Sequence, residues 1–228
     1  MTDSKVIVAI RGGGPTRADA DDLVERCMAA GATRMQVNLS DDAVSGAMRI
    51  DELDPPIGAV LSFWAPDPGP VLAVVNHVLD GPIAAWAVTA RTPLDPELPA
   101  DGTRIDALSN VAFLRRPDEL DHAEWLRRWL DDHTQVAIDT QATFGYVQNI
   151  VERPLTEDIP PVAAIVEELF PMAAVSDIHA FYGSGGDQRE LERRMTLMLE
   201  SVSRFGADRH LDVVPTSRYD FDLSRSRT

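Results

Sequence analysis

Trp125, Trp129 and His133 recur at every fourth position of the stretch Asp118–His133, so a helix there carries all three on one face. Histidine exchanges a proton near neutral pH and serves as a general acid or base. Two indoles beside it offer an aromatic ligand a flat apolar wall. The run Thr143–Arg153 then alternates Phe144, Tyr146, Gln148 and Ile150 against Gly145, Val147, Asn149 and Val151, as a strand does. On that strand Tyr146 is placed to donate a hydrogen bond to an enolate or phenolate oxygen as it gains charge. Gln148 and Asn149 point to opposite faces, so only one of them enters a pocket, and alternation with Tyr146 favours Gln148. His179 and Tyr182 precede the turn Gly183–Ser184–Gly185–Gly186 and are candidates for a pocket rim. Together these residues allow proton transfer on a small apolar or aromatic oxygenated molecule, with His133 and Tyr146 as the catalytic pair and Trp125, Trp129, Gln148, Asn149, His179 and Tyr182 as the substrate pocket.

Other chemistries find less support. The five histidines are scattered without a His-x-x-x-His pair, and no cysteine and histidine cluster has zinc spacing. Cys27 is the one cysteine and falls inside an apolar helical pattern, as a core residue does. Lys5 is the one lysine, which argues against Schiff-base chemistry. Gly12–Gly13–Gly14–Pro15 follows a strand but lacks both the Walker order and the spaced dinucleotide fingerprint, so it reads as a strand-to-helix turn. The reading therefore includes no cofactor and no metal. A net charge of -16, from 37 acidic against 21 basic residues, disfavours nucleic acid and anionic membranes as partners. No apolar run reaches the length of a membrane span and no basic-then-apolar leader opens the chain, so the expectation is a cytoplasmic protein.

The elements that would position these residues follow from periodicity. Strands are expected at Lys5–Ile10, Thr33–Ser40, Ile57–Ala65 and Ile83–Arg91, with helices at 16–30 and 71–79. The order strand–helix–strand–strand–helix–strand is the split βαβ pattern of a ferredoxin-like unit. Residues 92–102, rich in proline and acid, read as the connection. The order then restarts: strand Ile105–Leu114, helix Asp118–His133, strands Thr143–Arg153 and Val162–Leu169, an amphipathic helix Arg189–Phe205 and a terminal strand Leu211–Pro215. Residues 217–228 read as a polar tail. The expected fold class is α+β: tandem ferredoxin-like βαββαβ halves, at 1–95 and 105–228 around a linker at 96–104, in a dimeric α/β-barrel-like architecture. Each half leaves one sheet face bare of helices, and face-to-face packing of the two sheets around a cavity would bury both.

Residues 106–216 resemble the EthD domain family of dimeric α+β barrel proteins. The resemblance rests on Leu114–Arg115–Arg116–Pro117 at a strand end, on the helix ending Trp125–Leu126–Arg127–Arg128–Trp129–Leu130–Asp131–Asp132–His133, and on Gly145–Tyr146–Val147–Gln148–Asn149. It makes His133 the family histidine, although Thr134–Gln135 follows it where the family more usually has a small residue and proline. It also favours Asn149 over Gln148 for the pocket. What it implies is binding of small, often aromatic or polyketide-like molecules. Some fungal members of the family are dehydratases, and the wider superfamily includes cofactor-independent monooxygenases, cyclases, dehalogenating or lactone-isomerising enzymes and haem proteins. The function expected is a cofactor-independent lyase, cyclase or isomerase-like enzyme acting by proton transfer. The alternatives are a cofactor-independent monooxygenase and a non-catalytic ligand-binding or assembly protein. Closure of two halves in one chain and a symmetric homodimer are both open.

Overall fold

The computed structural model describes residues 3–79, 81–157 and 161–224. Its strands are β1 (Ser4–Arg11), β2 (Arg34–Leu39), β3 (Ile57–Ala65), β4 (Ile83–Leu94), β5 (Asp101–Arg104), β6 (Leu108–Leu114), β7 (Gly145–Pro154), β8 (Ala164–Phe170) and β9 (Leu211–Asp222). They pair antiparallel in the order β2-β3-β1-β4-β7-β8-β6-β9, and β2 returns to β9, so eight strands close a barrel. The short β5 adds to β9 from outside the ring. The order β2-β3-β1-β4 of the first four barrel strands recurs as β7-β8-β6-β9 in the last four.

Helices lie on the outer face of the barrel. Over the first four strands sit α1 (Arg17–Ala29) and α2 (Pro68–Val78). Thr16 and Asp19 cap α1 reciprocally, each side chain taking the other's backbone N–H. Over the last four strands sit α3 (His122–Arg127), a wide π-helical turn at Arg128–His133, α4 (Thr134–Thr140), α5 (Ile178–Tyr182) and α6 (Gln188–Ser203).

Strand alternation sorts the side chains into two layers. Val6, Val8 and Ile10 face outward and pack with Leu23, Cys27 and Val71 under the first helices. Ile7 and Ala9 face inward and share one end of the lumen with Trp86, Phe113, Ile165 and Val214. The other end is polar. Lys5 Nζ donates to Glu167 Oε1 at 2.6 Å and to Asn149 Oδ1 at 2.8 Å. Gln36 also donates to Glu167, and Asn38 Nδ2 donates to Thr216 Oγ1 at 2.8 Å. Lys5, Glu167, Gln36, Asn38 and Asn149 thereby gain partners, which offsets their loss of water.

Four expectations are corrected. The two sheet faces do meet, but side chains fill the space between them, so the main cavity lies on the other side, under the helices. The helix expected to end at His133 starts later, at His122 behind the Asp121 cap, and continues through the wide turn to Thr140. The polar tail is largely a strand: β9 runs to Asp222, because its residues from Ser217 to Asp222 pair with β2, and the side chains of Arg218 and Asp220 turn into the lumen and pair with each other at 2.9 Å. Residues 225–228 of that expected tail lie outside the described residues. Asp101–Arg104, expected within the connection, is β5.

Candidate functional site

A cavity of about 490 Å³ lies between α6, the wide turn and the outer face of β6, β8 and β7. Its walls are mostly apolar: Trp129, Val166, Met198, Val202 and Phe205 among others. Met48, Ile50, Met195 and Leu199 stand exposed at its mouth.

Strand register sets polar groups across its floor. Asn110 of β6 is paired with Glu168 of β8, and Glu168 with Tyr146 of β7. Residues in such a lateral row point to the same face with Cβ atoms about 4.5–5.5 Å apart. Glu168 follows Glu167, so strand alternation must send one of these carboxylates into the lumen and the other toward the helices. They meet opposite conditions. Burial raises the Glu167 carboxyl, but Lys5 and Arg218 outweigh it and hold the group at about 2. Glu168 has no such partner, and burial pushes it up to about 7. Its Oε1 is buried without a hydrogen-bond partner among the described residues, as are Asn110 Oδ1 and Gln148 Oε1.

The wide turn brings His133 to the wall. Thr134 Oγ1 donates back to Leu130 O at 2.7 Å, a local bond that accompanies the break in the regular ladder. His133 Nδ1 lies 2.9 Å from Ser201 Oγ of α6, and its ring packs 4.9 Å from that of Phe205. Burial lowers it to about 4, so the imidazole is neutral at neutral pH. Tyr146 is 1% exposed, and its hydroxyl accepts from Gln148 Nε2 at 3.3 Å while keeping its own proton to give. Burial raises its pKa further from neutrality.

Of the residues expected at a site, His133, Tyr146, Trp129 and Tyr182 line this cavity. Trp125 lies beneath Trp129, ring centroids 5.4 Å apart, with its indole N–H donated to Phe205 O at 2.9 Å; it is core. Gln148 is on the helix side but wholly buried, its amide spent on Thr134 Oγ1 and Tyr146. Asn149 points into the lumen, where it bonds Ile165 O and Glu167. His179 sits half-buried away from the lining, 2.7 Å from Ser184 Oγ. Sequence reasoning missed Glu168 and Asn110. The signal for Glu168 was available: two consecutive glutamates in the apolar run Ala163–Phe170 cannot both face water.

Among solved structures, the chain is similar to an anthrone oxidase-like protein, with a TM-score of 0.60 and 11% identity over 100% of this chain and 96% of that one. It is also similar to a mutant chlorite dismutase from Candidatus Nitrospira defluvii in complex with cyanide, with a TM-score of 0.53 and 10% identity over 98% and 94% of the two chains. The likeness shows a shared α+β fold in which an antiparallel barrel is covered by helices. No family model and no curated protein matches it. Identities this low carry the fold and not the chemistry. Among the described residues no helix is long and apolar enough to cross a membrane, and no group of three His, Cys, Asp or Glu is placed to hold a metal. A haem fits the cavity poorly: among the described residues no lysine or arginine lines it to meet the haem carboxylates.

Proposed function

We propose that the cavity under α6 binds a small apolar or aromatic oxygenated metabolite. In this reading the chain is a cofactor-independent enzyme of lyase, cyclase or isomerase type that moves a proton on that ligand. The observation that carries it is an apolar chamber of about 490 Å³ crossed by the row Asn110–Glu168–Tyr146. A chamber of this size suits a ligand of two or three fused rings. Its apolar walls supply binding, and the few polar groups supply orientation. Tyr146 is placed to donate its hydroxyl proton to an oxygen that gains charge. His133, neutral and tied to Ser201, orients a ligand better than it accepts a proton.

The EthD likeness of residues 106–216 and the equal strand order of the two halves support this reading as that of a tandem ferredoxin-like chain. The residues named in it all come from one chain. A cofactor-independent monooxygenase is the second reading, favoured by the shared fold with the anthrone oxidase-like protein. Oxygen consumption with a bound ligand separates the two.

The direct test is thermal unfolding against a panel of hydroxylated and carbonyl-bearing bicyclic aromatics, run on the native chain and on Ala112→Phe, which fills the cavity from β6. A ligand at 100 times its Kd stabilises by about 2.7 kcal/mol. The expected result is a raised Tm in the native chain and none in the filled variant. Equal shifts in both, or none in either, would remove the binding site from the proposal.

A further inference from the structure

We propose that Glu168, and not His133, is the proton acceptor of this site. The inference rests on the reading of the cavity as a proton-transfer site and names the group that does the work there.

Accessibility comes first. Of the polar groups on the floor and the wide turn, Tyr146 is 1% exposed, while Asn110 and His133 are each 7% exposed; Thr196 and Asp208 lie exposed at the rim. Glu168 is half-buried, and it lines the chamber. It is the carboxylate of the floor and the most exposed member of the row Asn110–Glu168–Tyr146, although its Oε1 is itself buried. Bonding comes second. Every other buried carboxylate near the barrel is committed: Glu167 to Lys5, Asp220 to Arg218, Asp212 to Arg115. Among the described residues Glu168 has no ion pair, and Oε1 has no donor. An unmade bond at a buried carboxylate oxygen costs stability and persists where function uses it. Asn110 Oδ1 beside it is an unmet acceptor too. Two unmet acceptors side by side call for a ligand that brings hydrogen-bond donors, such as a hydroxyl.

The step balances without an oxidant. A Glu168 oxygen takes a proton from a carbon next to a carbonyl. The electron pair of that C–H bond moves into the new C=C bond, and the carbonyl oxygen becomes an enolate that Tyr146 stabilises by donation. Glu168, now neutral, returns the proton to another atom of the same ligand. Isomerisation follows if that atom is carbon. Elimination of water follows if it is a hydroxyl oxygen one carbon further on. The ligand class is thus an apolar carbonyl compound with an acidic C–H and a hydroxyl group.

The pH dependence has few contributors. The other titratable groups on the lining are His133 from the wide turn, Tyr146 from β7, Tyr182 from α5 and Asp208 from the loop after α6. Arg91 of β4 acts on Tyr146 from the edge, where it donates to Leu130 O and pairs with Asp131. As a base, Glu168 must be ionised, so the rate rises with pH through about 7 and levels above it.

The test uses 5-nitrobenzisoxazole, an apolar probe whose ring opens to a coloured phenolate when a carboxylate removes its one acidic C–H. Binding is read separately, from quenching of tryptophan fluorescence. The full-length chain is expected to accelerate ring opening with a midpoint near 7. Glu168→Gln should lower the rate about 100-fold or more while still binding the probe. Glu168→Asp, which keeps the carboxylate, should restore part of the rate, and Glu192→Gln on the exposed side of α6 should leave it unchanged. A full rate in Glu168→Gln, or a midpoint near 4 that survives that change, would move proton transfer to His133 and overturn the proposal. A probe that binds without ring opening in the native chain would overturn it as well. A probe that does not bind at all fails the cavity reading itself, and this proposal with it.

Discussion

At the scale of single residues, the two proton-handling candidates pull stability in opposite directions. Glu168 holds its proton up to about 7 in the folded chain and up to about 4.5 when unfolded, so its contribution is complete below 4.5 and is lost as pH rises to 7. His133 is held down to about 4 against an ordinary 6.5, so the unfolded chain gains a proton the folded one refuses, and stability falls as pH drops from 6.5 towards 4. The two slopes partly cancel in the window they share. Single variants expose them. Urea unfolding of Glu168→Gln should show a steeper gain in stability with rising pH between 4.5 and 6.5, and greater stability than the native chain above pH 7. His133→Gln should lose the acid-side decline. Parallel pH curves for the native chain and both variants would contradict the environments assigned to these residues.

At the scale of elements, the turn from β1 to α1 gives Gly12 and Gly14 a structural reason of their own. Gly12 has φ of 87°, a conformation that glycine adopts without strain. A Cβ on Gly14 would come 2.9 Å from Gly58 O, and one on Gly58 would come 2.7 Å from Gly14 N. The turn and β3 therefore touch backbone to backbone, and neither side has a flexible side chain to move aside. Gly58→Ala should cost about 1–3 kcal/mol by overpacking, with the loss read from the midpoint of chemical denaturation. A neutral result would mean that the turn is free to lift off β3. The wide turn at Arg128–His133 is the matching device of the second half. Regular periodicity placed Trp125, Trp129 and His133 on one face, and all three are indeed on the buried side. The π-turn was not legible, because nothing in Arg128–Asp132 distinguishes a bond to the fifth residue from one to the fourth.

At the scale of the molecule, closure depends on β9. Its first half pairs with β6 and its second half with β2, so one strand of twelve residues joins the two ends of the sheet. A chain stopped after Thr216 would leave β2 with an open edge and expose the polar end of the lumen, where Lys5 and Glu167 are buried. It should lose cooperative unfolding by circular dichroism and calorimetry. A dispensable polar tail would leave both unchanged, so the truncation separates the two descriptions directly.

Element types and much of their order were legible before the fold, because periods of two and of about four are local properties of a chain. The alternation of Met35, Val37 and Leu39 against Gln36 and Asn38 marked a two-sided strand, and the aromatic stripe marked a buried helix face. Local pattern also brought His133, Tyr146, Trp129 and Tyr182 forward as candidates, and these four line one cavity. What a period cannot say is what lies beyond each face. Gln148 and Asn149 were known to part company, yet only barrel closure made one face a packed lumen and the other a helix-covered chamber. The same holds for Glu167 and Glu168, identical in type and adjacent in sequence. One meets a lysine 162 positions away and the other meets none, and that difference in partners belongs to the tertiary structure alone.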